Sequence, residues 1–319
     1  MIENMEHTQV GFREYVQRRK AMEDARLSGN GLPDYAFAMD YELRKKLDSI
    51  PHLYSIGKNI CGTVASRYMH EFNMRNLLVG PEQFPEVYQI GCECARRLGI
   101  GIPNIYIIDD QSINAFTIAT DDVEPVIAVH SGLYERFTLG ELKCVIGHEC
   151  GHIHNKHGIY NMLGSLLIQT GLVAGVATGL VSSQLLSLLT MSSQLALNAW
   201  SRAAEVTCDR AGLICCDSVE DAYRVNAKFT YGAAFGEQAI NLEALRSQLE
   251  KNMESIARFD ELLYDHPVAA RRIAAEMEFA ECEVFYRWRP ELKEPGAVMR
   301  PKQETDERCR RYVDVSKKG

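Results

Sequence analysis

Thr138-Leu-Gly-Glu-Leu-Lys-Cys-Val-Ile-Gly-His-Glu-Cys-Gly-His152 is the stretch on which the reading of this chain turns. Its last five residues, His148 to His152, form an H-E-x-x-H pattern. On a helix, two histidines four residues apart share a face, so both rings can reach one metal ion while Glu149 stands beside it to polarise a water. That is the minimal apparatus for hydrolysing an amide. The preceding residues place apolar side chains at Leu142, Val145 and Ile146, a spacing that buries one helix face and carries His148 inward. Thr138 as N-cap and Glu141 three residues later predict a capping box, which gives the helix a defined start.

A catalytic zinc takes three protein ligands and keeps a fourth position for water, so the two histidines need a partner. A glycine and a histidine three and six residues after His152 would extend the motif, but those positions hold Asn155 and Gly158. His154 and His157 fall about 200° and about 140° around a continued helix from His152, away from the metal face. The better candidate lies downstream in Trp200-Ser-Arg-Ala-Ala-Glu-Val-Thr-Cys-Asp-Arg210, where Glu205 and Asp209 are one helical turn apart. Glu205 would supply the third ligand, and Asp209 could accept from the free ring N–H of a ligating histidine, fixing its tautomer. A solvated acidic pair with Arg202 and Arg210 as partners is the ordinary alternative.

With these residues in view, the chain resembles the gluzincin metallopeptidases of the CAAX prenyl protease and HtpX heat-shock protease family. The likeness rests on four segments in the family's order: Ile105-Tyr-Ile-Ile-Asp109 followed by Asn114-Ala115-Phe116, the helix Glu141 to His157, Arg202-Ala-Ala-Glu205 with Asp209-Arg210, and His266-Pro267 with Arg272-Ile273. The resemblance implies a zincin-like fold, one Zn²⁺ on His148, His152 and Glu205, Glu149 as general base, and Asp209 as the residue orienting a histidine. It further implies that Asn114, Ala115 and Phe116 belong to an edge strand on which an extended peptide pairs, and that His266 donates to the oxyanion. Asn114 as a turn residue and His266 as a helix-start histidine are the plain alternatives. The chain departs from the pattern at Cys208, where alanine is usual, and at Asp265, where a hydroxyl residue is usual.

Residues 158–201 carry no Lys, Arg, Asp or Glu, and the portion from Leu163 to Val181 is apolar enough to be weighed as a membrane span. Asn161, Ser165, Gln169, Thr170, Thr178 and Gln184 form a polar load unusual for a helix in lipid. One crossing would also put His152 and Glu205 on opposite sides of the bilayer. The segment 159–198 is therefore read as an apolar helical hairpin packed with the peptidase domain, with membrane insertion, homo-oligomer contact or membrane-surface contact as the alternatives.

The 319 residues can bury one large core with an appendage, and the net charge of −8 without a basic stripe argues against nucleic acid. Ten cysteines and an N-terminus without a basic start or apolar core predict free thiols in a reducing compartment, the cytoplasm. Cys150 and Cys208 adjoin site residues and are candidates for inhibition by oxidation. Helical patches at 14–27 and 41–50 predict a helical region over 1–85. A helix over 86–98 and short strands near 105–108, 115–119 and 126–129 then lead into the H-E-x-x-H helix. Few strands segregated from many helices predict an α+β fold, mostly helical, with a small mixed sheet. The domain would run over 86–280. Residues 281–319, charged and interrupted by Pro290, Pro295 and Pro301, read as an irregular tail.

The function expected from these residues is zinc-dependent endopeptidase action on unfolded proteins or peptides. A latent zinc-containing chaperone or membrane-surface adaptor is the alternative, and an intact Glu149 argues against it.

Overall fold

The computed structural model describes residues 32–120, 123–164, 191–232 and 269–314, together with a few positions between 241 and 251. The predicted patch at 14–27, most of the hairpin 159–198, and His266 lie outside the described residues.

Alternation of apolar side chains builds the centre of the fold. Strands β1 (Leu77–Leu78), β2 (Asn104–Ile108), β3 (Ala115–Thr120) and β4 (Val123–His130) form one sheet in the order β1-β2-β4-β3. The pairing is mixed, as expected. β2 and β4 run parallel, Ile105 opposite Ile127 and Ile107 opposite Val129, while β1 and β3 are antiparallel to their neighbours. Ile105, Ile107, Ile127 and Val129 point to one face and join the main core, whereas Tyr106, Val126 and Ala128 point to the other. The period of two thus divides one apolar run between two packing layers.

Helix α1 (Ala38–Asp48) and helix α2 (Leu53–Arg75) precede the sheet, and α2 covers its second face through Phe72. Helix α3 (Pro85–Leu98) begins with proline in its first turn and ends at Gly99, whose φ of 70° is the left-handed C-cap that glycine adopts without strain. Its buried residues Val87, Ile90 and Cys94 lie in the main core with β2 and β4.

After the short helix α4 (Ser131–Arg136) comes α5 (Leu139–His154), the H-E-x-x-H helix. Its start is the predicted capping box. Thr138 Oγ1 accepts from the Glu141 amide over 3.2 Å, and Glu141 Oε2 accepts from the Thr138 amide over 2.8 Å. Across it packs α6 (Met191–Cys215), and glycine lets the two approach. A methyl at Gly147 would stand 2.4 Å from Cys215 Cβ, and one at Gly151 would stand 2.8 Å from Ala211 Cβ. Helices α7 (Val219–Tyr231) and α8 (Ala269–Ala280) add to the main core.

The irregular tail expected from 281 onward is corrected. Glu283–Trp288 is helix α9, Pro290–Leu292 is a 3₁₀ turn, and Lys302–Val313 is helix α10. The prolines mark boundaries, Pro301 being the N-cap of α10, and Thr305, Cys309 and Val313 recur at four-residue spacing on its buried face. Overall charge hid this narrow stripe. Cys309 and Val313 pack with Phe37, Met39, Ala203 and Val206, so α10 braces α1 and α6 together. No described helix is long and apolar enough to cross a membrane.

Candidate metal centre

Helix α5 projects His148 and His152 from successive turns, and their Nε2 atoms stand 3.2 Å apart. From α6, Glu205 places Oε2 3.5 Å from His148 Nε2 and Oε1 3.5 Å from His152 Nε2. Three donor groups on two helices therefore converge on one point, with His152 and Glu205 buried and His148 nearly so. Ligand atoms around a four-coordinate ion with bonds of about 2.0–2.1 Å are separated by about 3.3–3.4 Å. The observed separations of 3.2 and 3.5 Å match that edge, so this donor set fits a divalent metal.

Cys208 also brings its sulfur within 4.8 Å of the ring nitrogens of His148 and His152. Glu205 is nevertheless the better third donor, because it addresses both Nε2 atoms at once. The Cys208 sulfur instead lies 3.5 Å from His157 Nδ1. Burial, then the charge of Glu205, pushes its thiol well above the ordinary cysteine range and keeps it protonated. Cys150 is likewise fully buried and its thiol is raised by that burial, so neither cysteine has the exposed thiolate that oxidation requires.

Asp209 lies one turn beyond Glu205 and contacts the far side of the His148 ring, Oδ1 to Nδ1 at 3.0 Å. Arg272 of α8 clamps that carboxylate with two hydrogen bonds, Nε to Oδ2 at 2.9 Å and Nη2 to Oδ1 at 2.5 Å, and reaches Glu205 Oε2 at 3.3 Å. Burial works against the Asp209 charge, but the guanidinium outweighs it and holds the carboxyl below its ordinary range. For His148, burial opposes protonation, while the Asp209 hydrogen bond and the Glu205 charge prevail and raise its pKa. The sequence drew attention to Arg272 as part of the family likeness without giving it this place.

Glu149 faces the sheet. Thr117 of β3 donates its hydroxyl to Glu149 Oε2 over 2.6 Å. Burial lifts the Glu149 carboxyl above its usual value, with His148 and Thr117 opposing the shift. β3 is an edge strand, paired only with β4 among the described residues. Asn114 is exposed just before it and its carbonyl accepts from the His130 amide over 3.0 Å, while Ala115 and Phe116 are half-buried opposite Val129 and Ala128. The strand that carries Ala115 and Phe116, with Asn114 just ahead of it, thus runs past the Glu149 carboxylate. Thr117 escaped the sequence reading, although it follows directly on Phe116.

The expectation that His157 points away from the metal face is corrected. The helix ends at His154, and Lys156 turns the backbone at a φ of 58°, so the helical projection ceases to hold. His157 returns beside His152, Nδ1 to Nδ1 at 3.2 Å. His154 does point away, its Nδ1 lying 3.0 Å from the Tyr35 hydroxyl.

The sequence profile of Peptidase family M48 matches residues 81–278. The chain is 29% identical over 216 residues to the plastoglobule-localized metallopeptidase 48, chloroplastic, of Arabidopsis thaliana, an alignment covering 67% of this chain and 60% of that protein. It is 24% identical over 222 residues to a protease HtpX homolog of Bifidobacterium longum, covering 63% of this chain and 72% of that protein. A shorter match to protease HtpX of Legionella pneumophila is 32% identical over 91 residues, 28% of this chain and 32% of the relative. No solved structure matches.

Proposed function

The chain belongs to peptidase family M48, and on that premise we propose that it is a zinc-dependent endopeptidase that hydrolyses peptide bonds in unfolded proteins or peptides. One observation carries the reading. His148 Nε2 and His152 Nε2, on the helix that also carries Glu149, meet both oxygens of Glu205 from α6 at metal-ligand spacing. The HtpX proteases among its relatives support protein substrates.

Zinc, when bound, supplies Lewis acidity toward a water and the scissile carbonyl. His148, His152 and Glu205 would hold it, and Asp209, gripped by Arg272, keeps the proton of His148 on Nδ1 and so leaves the lone pair of Nε2 for a metal. Thr117 secures Oε2 of Glu149, which leaves Oε1 to take the proton of the attacking water and pass it to the leaving amine. A carboxyl raised by burial suits this exchange, since its affinity for a proton moves toward neutrality. The edge of β3 away from β4, which pairs with no other strand among the described residues, would take an extended peptide as a further strand, beginning at Asn114, Ala115 and Phe116. His266 is the residue we assign to the oxyanion. Ten free cysteines, all buried, support a reducing compartment such as the cytoplasm.

The deciding experiment is cleavage of an unfolded, fluorescently quenched protein by the full chain and by Glu149→Gln, each loaded with one equivalent of zinc. Activity in the wild type alone supports the assignment, because the variant keeps the ligands and loses the base. Equal activity in both would refute it.

A further inference from the structure

His148 has a carboxylate behind it; His152 has a histidine. Behind that histidine lies Asp40, which belongs to α1 and stands upstream of the residues that match the family profile. Asp40 and His157 are both buried, at 4% and 1% exposure. His157 Nε2 is 3.0 Å from Asp40 Oδ2, and His157 Nδ1 is 3.2 Å from His152 Nδ1. The Asp40 carboxylate is anchored in turn, accepting from Trp200 Nε1 over 2.9 Å and from Thr207 Oγ1 over 2.8 Å.

Proton bookkeeping gives this row a direction. The Asp40 carboxylate accepts only, so His157 carries a hydrogen on Nε2 and offers the lone pair of Nδ1. His152 then donates from Nδ1 and keeps the lone pair of Nε2, the atom that faces Glu205 and His148. Asn161 Nδ2 lies 3.1 Å from the same Nδ1, and since the oxygen and nitrogen of an amide can exchange places, the side chain accommodates this tautomer by turning its oxygen there. Without His157, Nδ1 keeps the Asn161 amide, which can turn either its oxygen or its nitrogen to it, so His152 can place its hydrogen on Nε2, where it excludes a metal.

We propose that Asp40 and His157 are positioning residues that set the tautomer and ring orientation of His152, so that a helix outside the family-matched region completes the support of the metal centre. The inference rests on the proposed ligand set of His148, His152 and Glu205. The competing explanation is that Asp40 merely ties α1 to Trp200 and Thr207, and affinity for the metal separates the two.

Zinc affinity of the full chain is measured by chelator competition for the wild type, Asp40→Asn, His157→Phe and His157→Gln, alongside thermal unfolding of each metal-free protein. Asp40→Asn and His157→Phe are expected to weaken zinc by about 10–100-fold, as loss of an outer partner does, while their metal-free melting stays near that of the wild type. His157→Gln is expected to stay near wild-type affinity, because its amide can accept from His152 and donate to Asp40. His157→Phe leaves the Trp200 and Thr207 bonds of Asp40 intact and so decides the matter if Asp40→Asn folds poorly. Wild-type affinity in His157→Phe overturns the inference and leaves the ligand set standing, as does a loss that only tracks metal-free stability. A wild type that binds no zinc removes the ligand set itself, and the inference with it.

Discussion

The Thr117 hydroxyl and the Glu149 carboxylate stand 2.6 Å apart, joining the edge strand of the sheet to the H-E-x-x-H helix at its acidic residue. A hydrogen bond to a charged group contributes about 1.5–3 kcal/mol. Thr117→Val keeps the branched shape that suits a strand but leaves Oε2 without this donor. The expected outcome is a fall in kcat/KM of about 10-fold or more, since about 1.4 kcal/mol corresponds to one decade. Thr117→Ser should recover most of it. Steady-state cleavage of a quenched peptide at equal zinc content makes the comparison, and a fully active valine variant would remove Thr117 from the mechanism.

The Arg210 guanidinium is fully buried between the rings of Phe37 and Phe279, 5.1 and 4.7 Å from their centroids, and pairs with Asp306 of α10 at 2.7 Å. Removing one member of a buried pair leaves the other charge uncompensated and costs about 3–5 kcal/mol. Asp306→Asn should lower the stability of the metal-free protein by that order, read from the denaturant midpoint at unchanged slope. A change within error would show that water or another group compensates Arg210.

Glu276 on α8 is buried, and its carboxyl is pushed well above the ordinary value of 4.5, first by burial and then by the charge of Asp209, against the opposing pull of Arg272 and Asn226. The folded state therefore retains a proton that the unfolded state has released, so stability falls as pH rises from the unfolded value through the raised one. Glu276→Gln mimics the protonated form and removes that slope. Its melting temperature relative to wild type is expected to climb between about pH 5 and about pH 8. A constant difference across that range would mean that Glu276 is already ionised in the fold.

Much of this could be read from the chain because the relevant signals are local. The capping box at Thr138 and Glu141, the apolar spacing of α5 and the alternation in β2 and β4 each operate within a few residues. The one-turn spacing of Glu205 and Asp209 likewise puts two groups on one face of a helix. The remainder depends on distance along the chain or on a broken period. Asp40 reaches the site across more than a hundred residues, and His157 reaches it only because the backbone turns over at Lys156. Arg272 and Asp306 find their partners through helix packing, for which the sequence holds no spacing rule.

The close seam between α5 and α6 bears on how the motif itself is used as a diagnostic. H-E-x-x-H leaves its two middle positions open to any residue, yet here the second of them, Gly151, has no room for even one methyl, with Cys208 Cα 3.1 Å from where it would sit. Alanine there would act as a wedge, moving Glu205 away from both imidazoles while every reactive group stayed in the sequence. Such a chain would still satisfy the pattern and would still be counted as an enzyme by anyone searching for it. In this protein the letter x is as constrained as the histidines on either side.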